Sequence, residues 1–142
     1  MSVEVNEYVY SNGTYVGELV NEKKNGKGTF KWENGDQYDG EWKDDLRHGK
    51  GVMFFANGDT FEGEFVNDKI NGKGVYTWKD GSQYNGNWVD EVKSGHGIMI
   101  YNNGETYDGE WLNNLQHGKG TIIYPTGESV ESDWENGNPV EK

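Results

Sequence analysis

Uncharged and charged residues alternate along most of this chain, in short runs that turn over at glycine. In Tyr38-Asp39-Gly40-Glu41-Trp42-Lys43 every second residue is a ring or a glycine and those between are charged. This is the two-residue period of a strand with unlike faces. Asp44-Asp45-Leu46-Arg47-His48 is polar and reads as a loop, and Gly51-Val52-Met53-Phe54-Phe55 reads as a second strand, rich in β-preferring types. Ala56-Asn57-Gly58-Asp59 then reads as a turn, its Asn-Gly supplying the positive φ that tight hairpins need.

The same hairpin pattern returns every 23 residues. Its anchor aromatics are Tyr15, Tyr38, Phe61, Tyr84 and Tyr107, and four residues after each comes Leu19, Trp42, Phe65, Trp88 or Trp111. A glycine separates the two rings, a Gly-x-Gly pair follows, and a turn glycine closes each unit. A short fixed period is the signature of a one-dimensional array. No segment carries a helical period beyond a couple of turns, so no second layer is available. The expected fold is all-β: a single-layer antiparallel meander of 23-residue hairpins, an open ribbon of ten strands plus partial ends, about 50 Å long. Residues 15–129 hold the five repeats. Residues 1–14 read as an N-terminal half-repeat cap, with Tyr8 and Tyr10 matching Phe30 and Trp32 and a turn one residue shorter. Residues 130–142 read as a degenerate C-terminal cap, in which Val130 and Ser132 replace the anchor and its glycine while Trp134 keeps register.

Composition fits a thin structure. Hydrophobic residues make up 32% and aromatics alone 14%, with a mean hydropathy of −1.01. Values this polar suit disorder unless the rings are placed periodically, as they are here. A glycine between two rings leaves a slot in which a ring from an adjacent strand lies flat, so rings and glycines are structural first. The net charge of −12 disfavours nucleic acid and anionic lipid, which attract clustered Lys and Arg; the richest stretch is Lys23-Lys24 with Lys27. It favours a basic or amphipathic protein segment as partner. There is no cysteine, hence no disulfide and no thiolate metal site. Residues 1–7 show no basic region followed by an apolar stretch, and no apolar run is long enough to cross a bilayer. The expected compartment is the cytoplasm.

The Tyr-x-Gly-x-Trp motif, with Gly-x-Gly and a turn glycine behind it on this period, resembles the MORN (membrane occupation and recognition nexus) repeat. Tyr38-Asp39-Gly40-Glu41-Trp42 with His48-Gly49-Lys50-Gly51, and Tyr107-Asp108-Gly109-Glu110-Trp111 with His117-Gly118-Lys119-Gly120, carry the resemblance best. Leu19 and Asn87 depart from it. The resemblance implies a β-meander whose aromatic face holds an extended or helical peptide, as a scaffold in ciliary, axonemal or other cytoskeletal assemblies.

The residues themselves offer no reaction. The repeated acids are explained by the repeat, and nothing marks one pair for acid–base work. His48, His96 and His117 lie a repeat or more apart, which does not make a metal site. The Gly-Lys-Gly triplets lack the helix and Lys-Ser/Thr ending of a phosphate loop. No cofactor and no enzymatic activity are expected. The expected partner contacts are Tyr38, Trp42, Phe61, Phe65, Tyr84, Trp88, Tyr107 and Trp111, some of whose edges a single layer leaves open, with Glu41, Glu64 and Glu110 available to a basic segment. Two alternatives stand beside this one: a membrane tether binding phosphoinositide or acidic phospholipid, and a regulatory array acting with a separate enzyme. An exposed end strand is a candidate for homodimer pairing.

Overall fold

The computed structural model describes residues 6–140; residues 1–5 and 141–142 of the expected caps, and with them most of the 1–7 stretch that lacks a basic region followed by an apolar one, lie outside the described residues. Thirteen antiparallel strands form one sheet in which every strand pairs with its sequence neighbours. They are β1 (Asn6–Tyr10), β2 (Gly13–Val20), β3 (Lys23–Trp32), β4 (Gln37–Lys43) and β5 (Leu46–Phe54). Next come β6 (Thr60–Val66), β7 (Lys69–Thr77), β8 (Gln83–Val89) and β9 (Val92–Ile100). The last four are β10 (Thr106–Leu112), β11 (Leu115–Ile123), β12 (Ser129–Glu135) and β13 (Asn138–Val140). At the usual spacing this ribbon is about 60 Å long.

The expected loop at 44–48 is instead a two-residue turn, and β5 begins at Leu46. Asp44 and Asp45 both have positive φ (48° and 70°). The same holds for Asn21-Glu22, Asn67-Asp68, Asp90-Glu91 and Asn113-Asn114. Two successive left-handed residues match the twist of a hairpin, and Asn and Asp tolerate that region better than other side chains. The tight turns therefore sit on these Asn, Asp and Glu pairs. The Asn57-Gly58 segment belongs to a wider four-residue turn in which only the glycine is left-handed (φ 99°). At the N-terminus Ser11-Asn12 alone joins β1 to β2, which is the shortened turn.

Each of the five repeat hairpins contains a bulge. Gly40 faces Gly51 and Trp42 faces Arg47, so His48, Gly49 and Lys50 stand against Glu41 alone. The Glu41 carboxylate accepts the free N–H of Lys50 at 2.6 Å, and Glu64 does the same for Lys73 at 2.9 Å. On the other side the Tyr38 hydroxyl donates to the Glu41 carbonyl at 2.9 Å. Tyr15, Tyr84 and Tyr107 repeat this bond at 2.8–3.0 Å. Bulge backbone groups that would go unpaired are satisfied from both faces.

The core lies on one face and is mostly rings. Register aligns Phe30, Tyr38, Met53, Phe61, Tyr76, Tyr84, Met99 and Tyr107 side by side across eight strands. Each anchor ring lies flat over a glycine of the next strand: a Cβ on Gly51 would overlap the Tyr38 ring. Trp42 and Phe65 stand edge-on to Tyr38 at centroid distances of 5.1 and 5.0 Å. The Trp42 indole N–H donates back to the Gly28 carbonyl of the preceding unit at 3.0 Å, and Trp111 to Gly97 at 3.1 Å. Neighbouring repeats are thus joined by ring contact and by hydrogen bond, as a solenoid without a second layer requires.

Candidate functional site

The eight rings expected to meet a partner are the interior of the ribbon. Tyr38, Phe61, Tyr84 and Tyr107 are 0% exposed, Phe65 1%, and Trp42, Trp88 and Trp111 6% each. The expectation that their edges stay open is corrected here: the flat glycine slots on one side and the neighbouring rings on the other seal them. Burial also pushes up the phenols of Tyr15, Tyr84 and Tyr107 to about 12, with nearby Glu18 or Glu110 adding to it.

What stays open is a second aromatic row on the same face. Trp32, Phe55, Trp78 and Tyr101 recur every 23 residues, are half-buried, and pack against the core from its margin. Tyr10 joins them at the N-terminal end, 5.9 Å from Phe30. Tyr124 continues the spacing and is 38% exposed. Apart from Tyr10, each residue of this rail enters a four-residue turn and is fixed by it. Trp78 N–H donates to the Ser82 carbonyl at 2.9 Å, and the Trp78 carbonyl accepts Gly81 N–H at 3.0 Å. Trp32, Phe55, Tyr101 and Tyr124 make the same pair of bonds. Successive turns are also tied together: Asp36 accepts Ala56 N–H and Asp59 accepts Lys79 N–H, both at 2.8 Å. Asp59 is buried, which alone would raise its pKa, but donors from Tyr76, Lys79 and Asn57 outweigh this and hold it low. The rail was overlooked in the sequence although its period is the one that revealed the repeat. Its residues precede the turns and vary among Trp, Phe and Tyr, so they lie outside the Tyr-x-Gly-x-Trp motif.

The acids occupy the other face, as alternation requires. Glu41, Glu64 and Glu110 are exposed, with the first two committed to bulge N–H groups. His96 bridges Glu110 and Asp108 with its two ring nitrogens, each at 2.9 Å. A trough of about 680 Å³ on this face is lined by Lys27, Glu41, Lys50, Glu64 and Lys73 beside Val52. Lys27 pairs across strands with Glu41 and Lys50 with Glu64, and with Asp39 and Glu62 the lining holds three lysines against four carboxylates. The rings and acids expected to act together therefore lie on opposite faces, and one segment does not reach both. Among the described residues no three His, Asp or Glu side chains converge as metal ligands. No helix among them is long and apolar enough to cross a membrane.

A comparison with curated protein sequences finds no match. Among solved structures, one similar chain is the SAS-4 (dCPAP) TCP domain in complex with a proline rich motif of Ana2 (dSTIL) of Drosophila melanogaster. It shares 10% identity, with 90% of this chain and 83% of that chain covered and a TM-score of 0.46. The family comparison speaks directly to the repeats. The MORN repeat matches five times in succession, over residues 15–37, 38–60, 61–83, 84–106 and 107–129, and the chain belongs to the MORN-repeat family.

Proposed function

We propose that this chain is a non-catalytic interaction module that docks a segment of a protein partner along its aromatic face and holds it within a larger assembly. The observation that carries the reading is the rail: half-open rings at Trp32, Phe55, Trp78 and Tyr101, evenly spaced and pinned by backbone bonds on rigid turns. Large rings held in place lose little conformational entropy on binding, which is what makes aromatic anchors effective. A cytoplasmic site of action, in a ciliary or other cytoskeletal assembly, is part of the proposal and rests on the repeat type alone.

The test is affinity capture from a cytoskeletal extract with wild-type chain and with Trp32→Ser, Trp78→Ser and Tyr101→Ser, each first shown to be folded by circular dichroism. Val52→Ser, on the opposite face, is the control. A protein retained by the wild type and the control but lost by the rail variants supports the reading. Retention unaffected by all three rail variants sinks it. Flotation with anionic liposomes in place of protein capture would put a membrane tether in its stead.

A further inference from the structure

Across each bulge the residue facing the Leu19, Trp42, Phe65, Trp88 or Trp111 position is Lys24, Arg47, Ile70, Lys93 or Gln116. These side chains share the ring face with the rail. The Lys24 ammonium sits 4.7–5.7 Å from the rings of Tyr10, Tyr15, Phe30 and Trp42, and Asp45 is its counter-ion at 3.6 Å. The Arg47 guanidinium lies 5.3 Å from Phe65 and bonds the Asp68 carboxylate and carbonyl at 2.7 Å each. In both units the acid is the second residue of the next tight turn, and it also accepts the backbone N–H of the cation, at 2.8 and 3.2 Å.

The fourth unit keeps the cation and loses the acid. Lys93 Nζ lies 5.3–6.0 Å from the rings of Trp78, Tyr84, Trp88 and Trp111. The turn residue is now Asn114, whose Oδ1 still accepts Lys93 N–H at 2.8 Å. The backbone cap survives and only the charge is gone. Among the described residues no carboxylate lies within ion-pair distance of Lys93. Burial holds its pKa below the ordinary value. Ring faces stabilise a desolvated ammonium in part, but a carboxylate forms a stronger, charge-assisted bond. The flanking units lack a cation at this position altogether, with Ile70 before and Gln116 after.

We propose that the ring face over repeats three to five receives an acidic, partly apolar peptide segment, whose Asp or Glu side chain pairs with Lys93 while its apolar neighbours rest on Trp78 and Tyr101. This rests on the interaction reading above and names the partner's chemistry. It departs from the expectation of a basic partner drawn from the net charge of −12. Net charge acts over distances that physiological salt screens within about 8 Å, whereas a contact is decided by the charge that faces it. On this patch Asp59 is already held by Tyr76, Lys79 and Asn57 and Glu105 lies beside Tyr101, whereas the Lys93 ammonium has no carboxylate partner among the described residues.

The probe is a library of random 12-residue peptides selected on the full chain, with recovered peptides measured by fluorescence polarisation. Asn114→Asp is the informative variant, because it rebuilds the internal ion pair of the first two repeats and keeps the backbone cap, so the fold is retained. Lys93→Met removes the ammonium. The expected peptides carry Asp or Glu between apolar residues and weaken about tenfold or more with Asn114→Asp, with Lys93→Met and when their own acid is changed to the amide. Peptides that are lost with Trp78→Ser yet are basic or neutral, or are indifferent to Asn114→Asp, overturn this proposal while the interaction reading stands. Recovery of no peptide sensitive to Trp78→Ser overturns both.

Discussion

Replacing Gly51 by alanine puts a methyl group where the Tyr38 ring lies. Gly51 does not have a left-handed backbone, so the change adds no φ strain and isolates the steric term. The ring has nowhere to go: it is fully buried, edge-on to Trp42 and Phe65, and anchored by its hydroxyl to the Glu41 carbonyl at 2.9 Å. Overpacking a filled site costs about 1–3 kcal/mol. Displacing the hydroxyl adds about 1 kcal/mol, and the stiffer unfolded chain returns about 0.4–1 kcal/mol. The net loss is about 1–3.5 kcal/mol. Gly81→Ala supplies the contrast: its φ is 95° and nothing lies within 4 Å of the added Cβ, so only backbone strain remains, about 1–2 kcal/mol before the same unfolded-state gain. Urea unfolding followed by tryptophan fluorescence and circular dichroism measures both. Gly51→Ala should also become nearly neutral in a Tyr38→Val background, since the clash is with that ring. A Gly51→Ala loss no larger than that of Gly81→Ala, or one unchanged by removing the ring, refutes the clash.

Trp88→Leu deletes a buried indole that bonds the Gly74 carbonyl at 3.4 Å and braces Phe61 and Tyr84. It is expected to cost about 3 kcal/mol in the same unfolding assay, whereas Trp78→Leu on the rail costs less. Asp59→Asn removes the charge and leaves one oxygen for Lys79 N–H, but turns the oxygen that accepts from Tyr76 and Asn57 into a donor, and should cost about 1–2 kcal/mol at neutral pH. Because the folded pKa of Asp59 lies below the ordinary 3.8, this advantage is present above that value. The gap between wild type and variant closes as pH falls through the folded pKa. Tyr15, Tyr84 and Tyr107, raised to about 12 by burial, behave in the opposite sense. Their contribution is complete below the ordinary 10 and lost as pH rises toward 12. Ultraviolet titration should show their phenolates forming together with unfolding in that window.

Much of the architecture was legible because the repeat imposes the same local choice five times. Strand alternation, the 23-residue period and the single layer follow from where Tyr38, Gly40 and Trp42 stand relative to their copies. Asp44-Asp45 was not legible as the tight turn. A pair of acids reads as generic loop, and their left-handed conformation is imposed by closure of a bulged hairpin rather than advertised by glycine. Which rings stay open was not legible for a related reason. Motif strength marks the residues that the fold cannot do without, and those are the buried ones. Trp32 and Trp78 are free to vary in type because they lie at the margin, so their period is visible only once the turns are used as the ruler. The environment of Lys93 depends on Asn114, 21 residues away, through a contact that no local pattern displays.

The division of the aromatic face into a sealed core and an open rail is tested most directly by acrylamide quenching of the six tryptophans. Trp32 and Trp78, with half-buried Trp134 near the C-terminal end, should make up the readily quenched population, and Trp42, Trp88 and Trp111 should be protected. A Trp32→Phe/Trp78→Phe double variant should then lose most of the accessible fluorescence. If quenching is unchanged in that variant and falls instead on replacing Trp42 or Trp88 by phenylalanine, the core rings are the open ones and the account is wrong.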